Sequence, residues 1–188
     1  MLPTGFLLAF LGAASMAQDT APVSTNPPPG SMEECGLVEA VVPQYTLEDV
    51  CPGSPTYGQD VSRPEFPGDV LLLYFALPTC GHCQAQVQQL QALWDAHAEQ
   101  WAGDVTLQII ALSAGQSGLE TLTDGISLPV LQDTEQAAVA DQYGAQKWYV
   151  YVVDRTGQVR WIHYRFDLTN HADRLVAEVD ALRAEEPQ

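Results

Sequence analysis

The 188-residue chain is 46% apolar and 16% charged. That is the composition of a globular protein of one domain rather than two, and it excludes a coiled coil or a disordered polypeptide as the main product. Lys and Arg number 7 against 24 Asp and Glu, a formal charge of −17, so a polyphosphate partner is repelled and nucleic-acid binding is excluded.

In chain order, Phe6 to Ala14 is almost entirely apolar and leads to Ser15-Met16-Ala17, small residues placed for cleavage ahead of Gln18. Residues 1–17 therefore read as a secretory signal, although no Lys or Arg precedes the apolar run. This run is about half the roughly twenty residues that a spanning helix needs, so no stable membrane insertion is expected. Residues 18–34, with Pro27-Pro28-Pro29, are too poor in apolar side chains to build a core and read as a Pro/Ser/Thr-rich spacer. Residues 35–188 form the folded domain, and the expected location is secreted or periplasmic.

Within that domain, Tyr45-Thr46-Leu47 begins a strand, and Asp69 to Ala76 is the continuous apolar run of a central strand covered on both faces. From Cys83, the positions Val87, Leu90, Leu93, Trp94, His97 and Trp101 recur at helical spacing. Asp104 to Leu112 predicts the next strand, residues 117–124 a short helix, and Pro129-Val130-Leu131 leads into a helix over Thr134 to Tyr143. Trp148 to Val153 and Val159 to Phe166 form a hairpin around Asp154-Arg155-Thr156-Gly157, where Asp first and Gly last suit a type I turn. Asn170 with Asp173 can cap a final helix that buries Leu175, Val176, Val179 and Leu182. The order predicts an α/β fold, a mixed sheet with helices on both faces.

Four cysteines stand at 35, 51, 80 and 83, and three pairings are open to them. Cys80-Gly81-His82-Cys83 sits where the apolar strand gives way to the helix. There the free N–H groups and the helix dipole favour a thiolate at Cys80, and two intervening residues put Cys83 one turn on, within reach of a disulfide. Cys80 reads as nucleophile and Cys83 as its resolving partner. His82, able to carry positive charge beside the sulfur, stabilises the thiolate and makes the disulfide more oxidising. A zinc half-site is disfavoured because no second C-x-x-C or paired His spacing exists, and no cofactor is implied. Cys35 and Cys51 are expected to pair as a structural disulfide worth about 3 kcal/mol in the chain-entropy model, or, if accessible, one of them accepts the disulfide from Cys80-Cys83 by exchange.

Strand, C-G-H-C and helix together resemble the thioredoxin-like superfamily, with the dipeptide of protein disulfide isomerases between the cysteines. Tyr45 to Asp49, Leu128 to Asp133 and Val152 to Gly157 resemble the framework of bacterial envelope thiol-disulfide oxidoreductases and peroxiredoxin-like proteins. Leu128 through Tyr164 also looks like the amino-terminal domain of selenoprotein P. The resemblance implies a thioredoxin-like fold over Val42 to Leu182 and a thiol-disulfide oxidoreductase or isomerase whose partners are protein thiols or disulfides and a redox partner. Three departures stand out. Thr79 and Tyr74 occupy the places where many thioredoxins have a Trp and a buried acid, and Lys147-Trp148-Tyr149-Val150 lacks the cis-proline that usually faces the active site. Pro78 ends the strand and sets the turn into the helix.

Two other functions remain open at this level. A selenoprotein P-like redox or thiol peroxidase domain is one, although the Pro-x-x-x-Thr-x-x-Cys pattern of peroxiredoxins is not reproduced around Cys80. A copper-binding or redox-inert interaction module is the other. His97, His163 and His171 read as packing or surface residues, and the aromatics Trp148, Tyr149, Tyr151, Trp161 and Tyr164 as cross-strand packing, with any exposed ring near the cysteines able to meet an apolar substrate.

Overall fold

The computed structural model describes residues 41–65, 67–112 and 117–185. The expected signal, the spacer and Cys35 lie outside the described residues. In chain order the elements are β1 (Thr46–Glu48), β2 (Asp60–Ser62), β3 (Val70–Ala76), α1 (Gly81–Trp101), β4 (Val105–Ala111), α2 (Leu119–Thr123) and β5 (Val130–Gln132), then α3 (Val139–Tyr143), β6 (Val150–Val153), β7 (Val159–His163) and α4 (Leu168–Ala184). Five strands make one sheet in the order β5-β4-β3-β6-β7, and β1 pairs with β2 separately. β4 runs parallel to β3 and β5, whereas β6 is antiparallel to both β3 and β7, so the sheet is mixed as the sequence predicts.

The unbroken apolar run of β3 is explained by its central place: all seven of its residues are buried. Its alternate side chains divide the core in two. Leu72, Tyr74 and Ala76 face a cluster with Val87 and Leu90 of α1, Leu122 of α2, and Leu175, Val179 and Leu182 of α4. Leu71, Leu73 and Phe75 face Leu47, Val139, Tyr143 and Tyr151 instead. Helices therefore cover both faces of the sheet. His97 stacks on Trp101 with ring centroids 4.7 Å apart, and His163 is buried with its Nε2 2.6 Å from Glu178 Oε2, both packing residues as read from the pattern.

The structure corrects four local expectations. Val130-Leu131 is a strand, paired with Ile109 and Ile110, rather than a lead into a helix. The helix expected over Thr134 to Tyr143 is cut to its last turn, because buried Asp133 accepts from the N–H groups of Thr134, Val139 and Ala140 and Ala138 takes a left-handed φ of 45°. β7 stops at His163, short of Phe166, where Arg165 turns with φ 53°. The final helix starts earlier than Asn170: Asp167 is its cap, accepting from the Thr169 N–H at 3.0 Å, while Asn170 Nδ2 donates to the same carboxylate. The hairpin turn forms as expected, with the Gly157 N–H on the Asp154 carbonyl at 3.0 Å.

Candidate active site

β3 ends at Ala76 and the chain turns through Leu77-Pro78-Thr79 into α1, whose N-cap is Cys80. The Cys80 N–H bonds back to the Leu77 carbonyl at 3.0 Å, and its own carbonyl accepts the first helical N–H, from Gln84. Cys80 is partly exposed; Cys83, one turn on, is fully buried against β3. The two thiols are free, and each influences the ionisation of the other. C-x-x-C spacing at a strand-to-helix seam thus delivers an outer and an inner sulfur, as the sequence suggests.

Their electrostatics differ for local reasons. At Cys80, partial burial opposes the anion and is the largest single influence. It is outweighed by the Cys83 N–H, the Cys83 thiol, the Trp148 side chain and the His82 N–H, so its pKa falls below the ordinary thiol value. Burial pushes the Cys83 thiol up to about 11 against the Leu77 N–H, which donates to its sulfur at 3.4 Å; the proximity of Cys80 raises it further. The buried phenol of Tyr74 stands on β3 beside the two thiols without a hydrogen-bond partner among the described residues, and its own pKa is held far above normal, first by burial and then by the neighbouring thiols. The place expected for a buried acid therefore holds a phenol that stays protonated.

His82 is exposed, and its ring meets Trp148 edge-on with centroids 5.1 Å apart. Trp148 answers the missing proline. It lies just ahead of β6 with φ 75°, a left-handed backbone that costs a bulky residue of order 1–3 kcal/mol. Both its main-chain groups are committed: its N–H donates to the Phe75 carbonyl at 2.9 Å and its carbonyl accepts from the Phe166 N–H at 2.7 Å. Its indole Nε1 is buried and makes no hydrogen bond of ordinary geometry.

Two supports have little sequence signal. Buried Gln86 and Gln91 on α1 look polar and solvent-facing by pattern. Gln86 Oε1 accepts the Leu168 N–H at 2.7 Å, and Gln91 Oε1 accepts the N–H groups of Ser127 and Leu128, locking α1 to α4 and to the loop before β5. Gly118, with φ 84°, brings α2 up against the turn before Cys80. A Cβ there would stand 2.6 Å from the Pro78 carbonyl oxygen and 3.0 Å from the Thr79 nitrogen. Gly118→Ala is expected to cost about 1–3 kcal/mol and to slow Cys80 alkylation by displacing that turn; thermal unfolding and iodoacetamide rates measure both, and an unchanged pair of values refutes the contact.

Cys51 is fully buried, its thiol donating to the Ile126 carbonyl at 3.3 Å. Its pairing with Cys35 falls outside the described residues. Among the described residues no three His, Cys, Asp or Glu side chains gather as metal ligands, and no helix is long and apolar enough to cross a membrane.

A model described as the AhpC/TSA family matches residues 38–162, well over half of the chain. The chain belongs to the AhpC/TSA family. No curated protein matches it. Among solved structures it is similar to a Chlorobium tepidum protein described as the thiol:disulfide interchange protein DsbE, at 17% identity and a TM-score of 0.63 over 80% of this chain and 100% of that one. DsbF of MTB, solved in mixed oxidized and reduced forms, gives 21% identity and a TM-score of 0.58 over 75% and 98%. AhpC of Mycobacterium tuberculosis gives 14% and 0.61 over 80% and 100%. These likenesses show a thioredoxin-like fold. As an AhpC/TSA family member on that fold, the chain is an oxidoreductase of the thiol-disulfide class.

Proposed function

We propose that the chain is an exported thiol-disulfide oxidoreductase or isomerase working through a reversible Cys80-Cys83 disulfide, with protein thiols or disulfides as substrates. One observation carries this: a partly exposed, more easily ionised sulfur at the start of α1 with a protonated, buried sulfur one turn behind it. In the reducing direction the Cys80 thiolate attacks a substrate disulfide. A Cys80–substrate S–S bond forms, the substrate S–S bond breaks, and the departing sulfur takes a proton. Once Cys80 is no longer anionic its unfavourable pressure on the Cys83 anion is gone. Cys83 then loses its proton, attacks the Cys80 sulfur and closes the internal disulfide, releasing the second substrate thiol. Two electrons pass to the substrate; the oxidising direction is the same path reversed.

His82 contributes its N–H to the sulfur and its ring to Trp148, and C-G-H-C as a sequence favours the oxidising direction. The apolar run at residues 6–14 and the small residues before Gln18 support export, and Cys35-Cys51 then serves as a staple; full burial of Cys51 speaks against a relay. The test is iodoacetamide modification of the reduced chain against pH, read at Cys80 by peptide mass spectrometry. A midpoint below the ordinary thiol value of about 8.5 is expected; one at or above it sinks the reading. A second reading, thiol peroxidase, is favoured by AhpC/TSA family membership itself. Stopped-flow oxidation of Cys80 by hydrogen peroxide, no faster than that of a free thiol, would remove it.

A further inference from the structure

The indole N–H of Trp148 is buried and makes no hydrogen bond of ordinary geometry among the described residues, which native proteins seldom tolerate. The indole is also held in place. The backbone is pinned by Phe75 and Phe166, the edge-on His82 ring lies against it, and Lys147 Nζ stands 4.9 Å from its ring centroid. Trp148 and Cys80 both pack against the same core cluster, and the ring that meets the indole edge-on belongs to His82, two residues from Cys80, which puts the indole beside the Cys80 sulfur. A neutral thiol is a weak acceptor and leaves such a donor unsatisfied, whereas a thiolate makes a charge-assisted hydrogen bond.

We propose that Trp148 is the side-chain donor that holds Cys80 as a thiolate, its indole N–H bonding the anionic sulfur and losing that bond when the Cys80-Cys83 disulfide forms. The redox consequence rests on the function proposed above; the ionisation consequence does not. A residue that stabilises the reduced form alone makes the disulfide more oxidising. The left-handed Trp148 backbone then has a use: it aims a donor from the β6 side of the sheet at a sulfur that, among the described residues, is otherwise stabilised by groups of α1. The ionisable groups around the sulfur are His82 and Cys83 on α1, Tyr74 on β3, Lys147 beside Trp148, and Asp167 at the start of α4, which interacts with His82.

Trp148→Phe keeps an aromatic ring for His82 and Lys147 and removes the donor. The ultraviolet absorbance of the Cys80 thiolate against pH is expected to show a midpoint raised by about one unit. Equilibration with glutathione is expected to shift about tenfold toward the disulfide, about 30 mV. An unchanged midpoint in a folded Trp148→Phe overturns the proposal, and so does a Lys147→Gln variant that reproduces the whole shift. Should Trp148→Phe not fold, the indole N–H resonance of Trp148 in the native sequence decides. It must move as Cys80 ionises and lose that step in Cys80→Ser; a resonance indifferent to Cys80 overturns the contact. A pair that never oxidises under glutathione disulfide would instead sink the proposed function, and the pH titration would still decide the indole contact.

Discussion

Cys80→Ser is expected to lower disulfide exchange by at least about a thousandfold, and Cys83→Ser to leave the first attack intact while stalling the chain as a mixed disulfide. The asymmetry follows from the two environments. Cys80 is partly exposed and its thiolate is favoured by the Cys83 and His82 N–H groups, so it ionises at lower pH than Cys83 and supplies the attacking anion. Cys83 is fully buried, with its pKa pushed up to about 11, and attacks only after Cys80 has become part of a neutral mixed disulfide. Because Cys80's midpoint is lowered, the first step rises with pH up to that midpoint and is flat above it, and it is lost as pH falls through it. Exchange assays with a small disulfide, and mass spectrometry of complexes trapped by Cys83→Ser, measure the two effects. Equal residual activity in both variants, or complexes trapped by Cys80→Ser instead, would reverse the roles.

Asp49→Ala is expected to cost about 3–5 kcal/mol in urea unfolding, among the larger single-site losses for this chain. Asp49 is fully buried, and its Oδ1 accepts the N–H groups of Cys51 at 3.0 Å and Val130 at 3.1 Å, while Oδ2 accepts the Thr56 hydroxyl at 2.7 Å. It fastens the segment after β1 to the start of β5, where Asp49 also bridges Leu131. Removing the carboxylate strands two buried N–H groups, each worth about 1–3 kcal/mol, and frees the Thr56 hydroxyl. Asp49→Asn keeps an oxygen for both N–H groups and turns its amide toward Thr56, whose hydroxyl can accept. It is expected to cost about 1 kcal/mol. An Ala variant as mild as the Asn variant would show that the loop holds without these bonds.

The cysteine pair, the central strand and the long helix are legible because their signals are local: a continuous apolar run, a period near 3.6, and C-x-x-C at the seam between them. The hairpin turn is equally legible from Asp154 and Gly157, since both act within four residues. What escapes is held by partners far along the chain. β2 is three residues with little apolar rhythm of its own and exists through its pairing with β1. Val130-Leu131 becomes a strand because Ile109 and Ile110 offer it an edge. Asp133 shortens the helix before Tyr143 by taking three N–H groups at once. Gln86 and Gln91 read as solvent-facing, because periodicity reports polarity and not the hydrogen bonds that let a polar group be buried.

The amino-acid sequence by itself determined the layered α/β class, the acidic character and the place of two sulfurs one helical turn apart, since each depends on residues adjacent in the chain or on simple sums over it. Only the tertiary structure decided which sulfur lies outside and what surrounds it: Tyr74 behind Cys83, the Gly118 approach to Pro78, and Trp148 bent left-handed toward Cys80. Those neighbours come from β3 and from the segments ahead of α1, α2 and β6, far apart in the chain. Their distances are set by how the sheet and helices pack, a many-body outcome that no local pattern encodes.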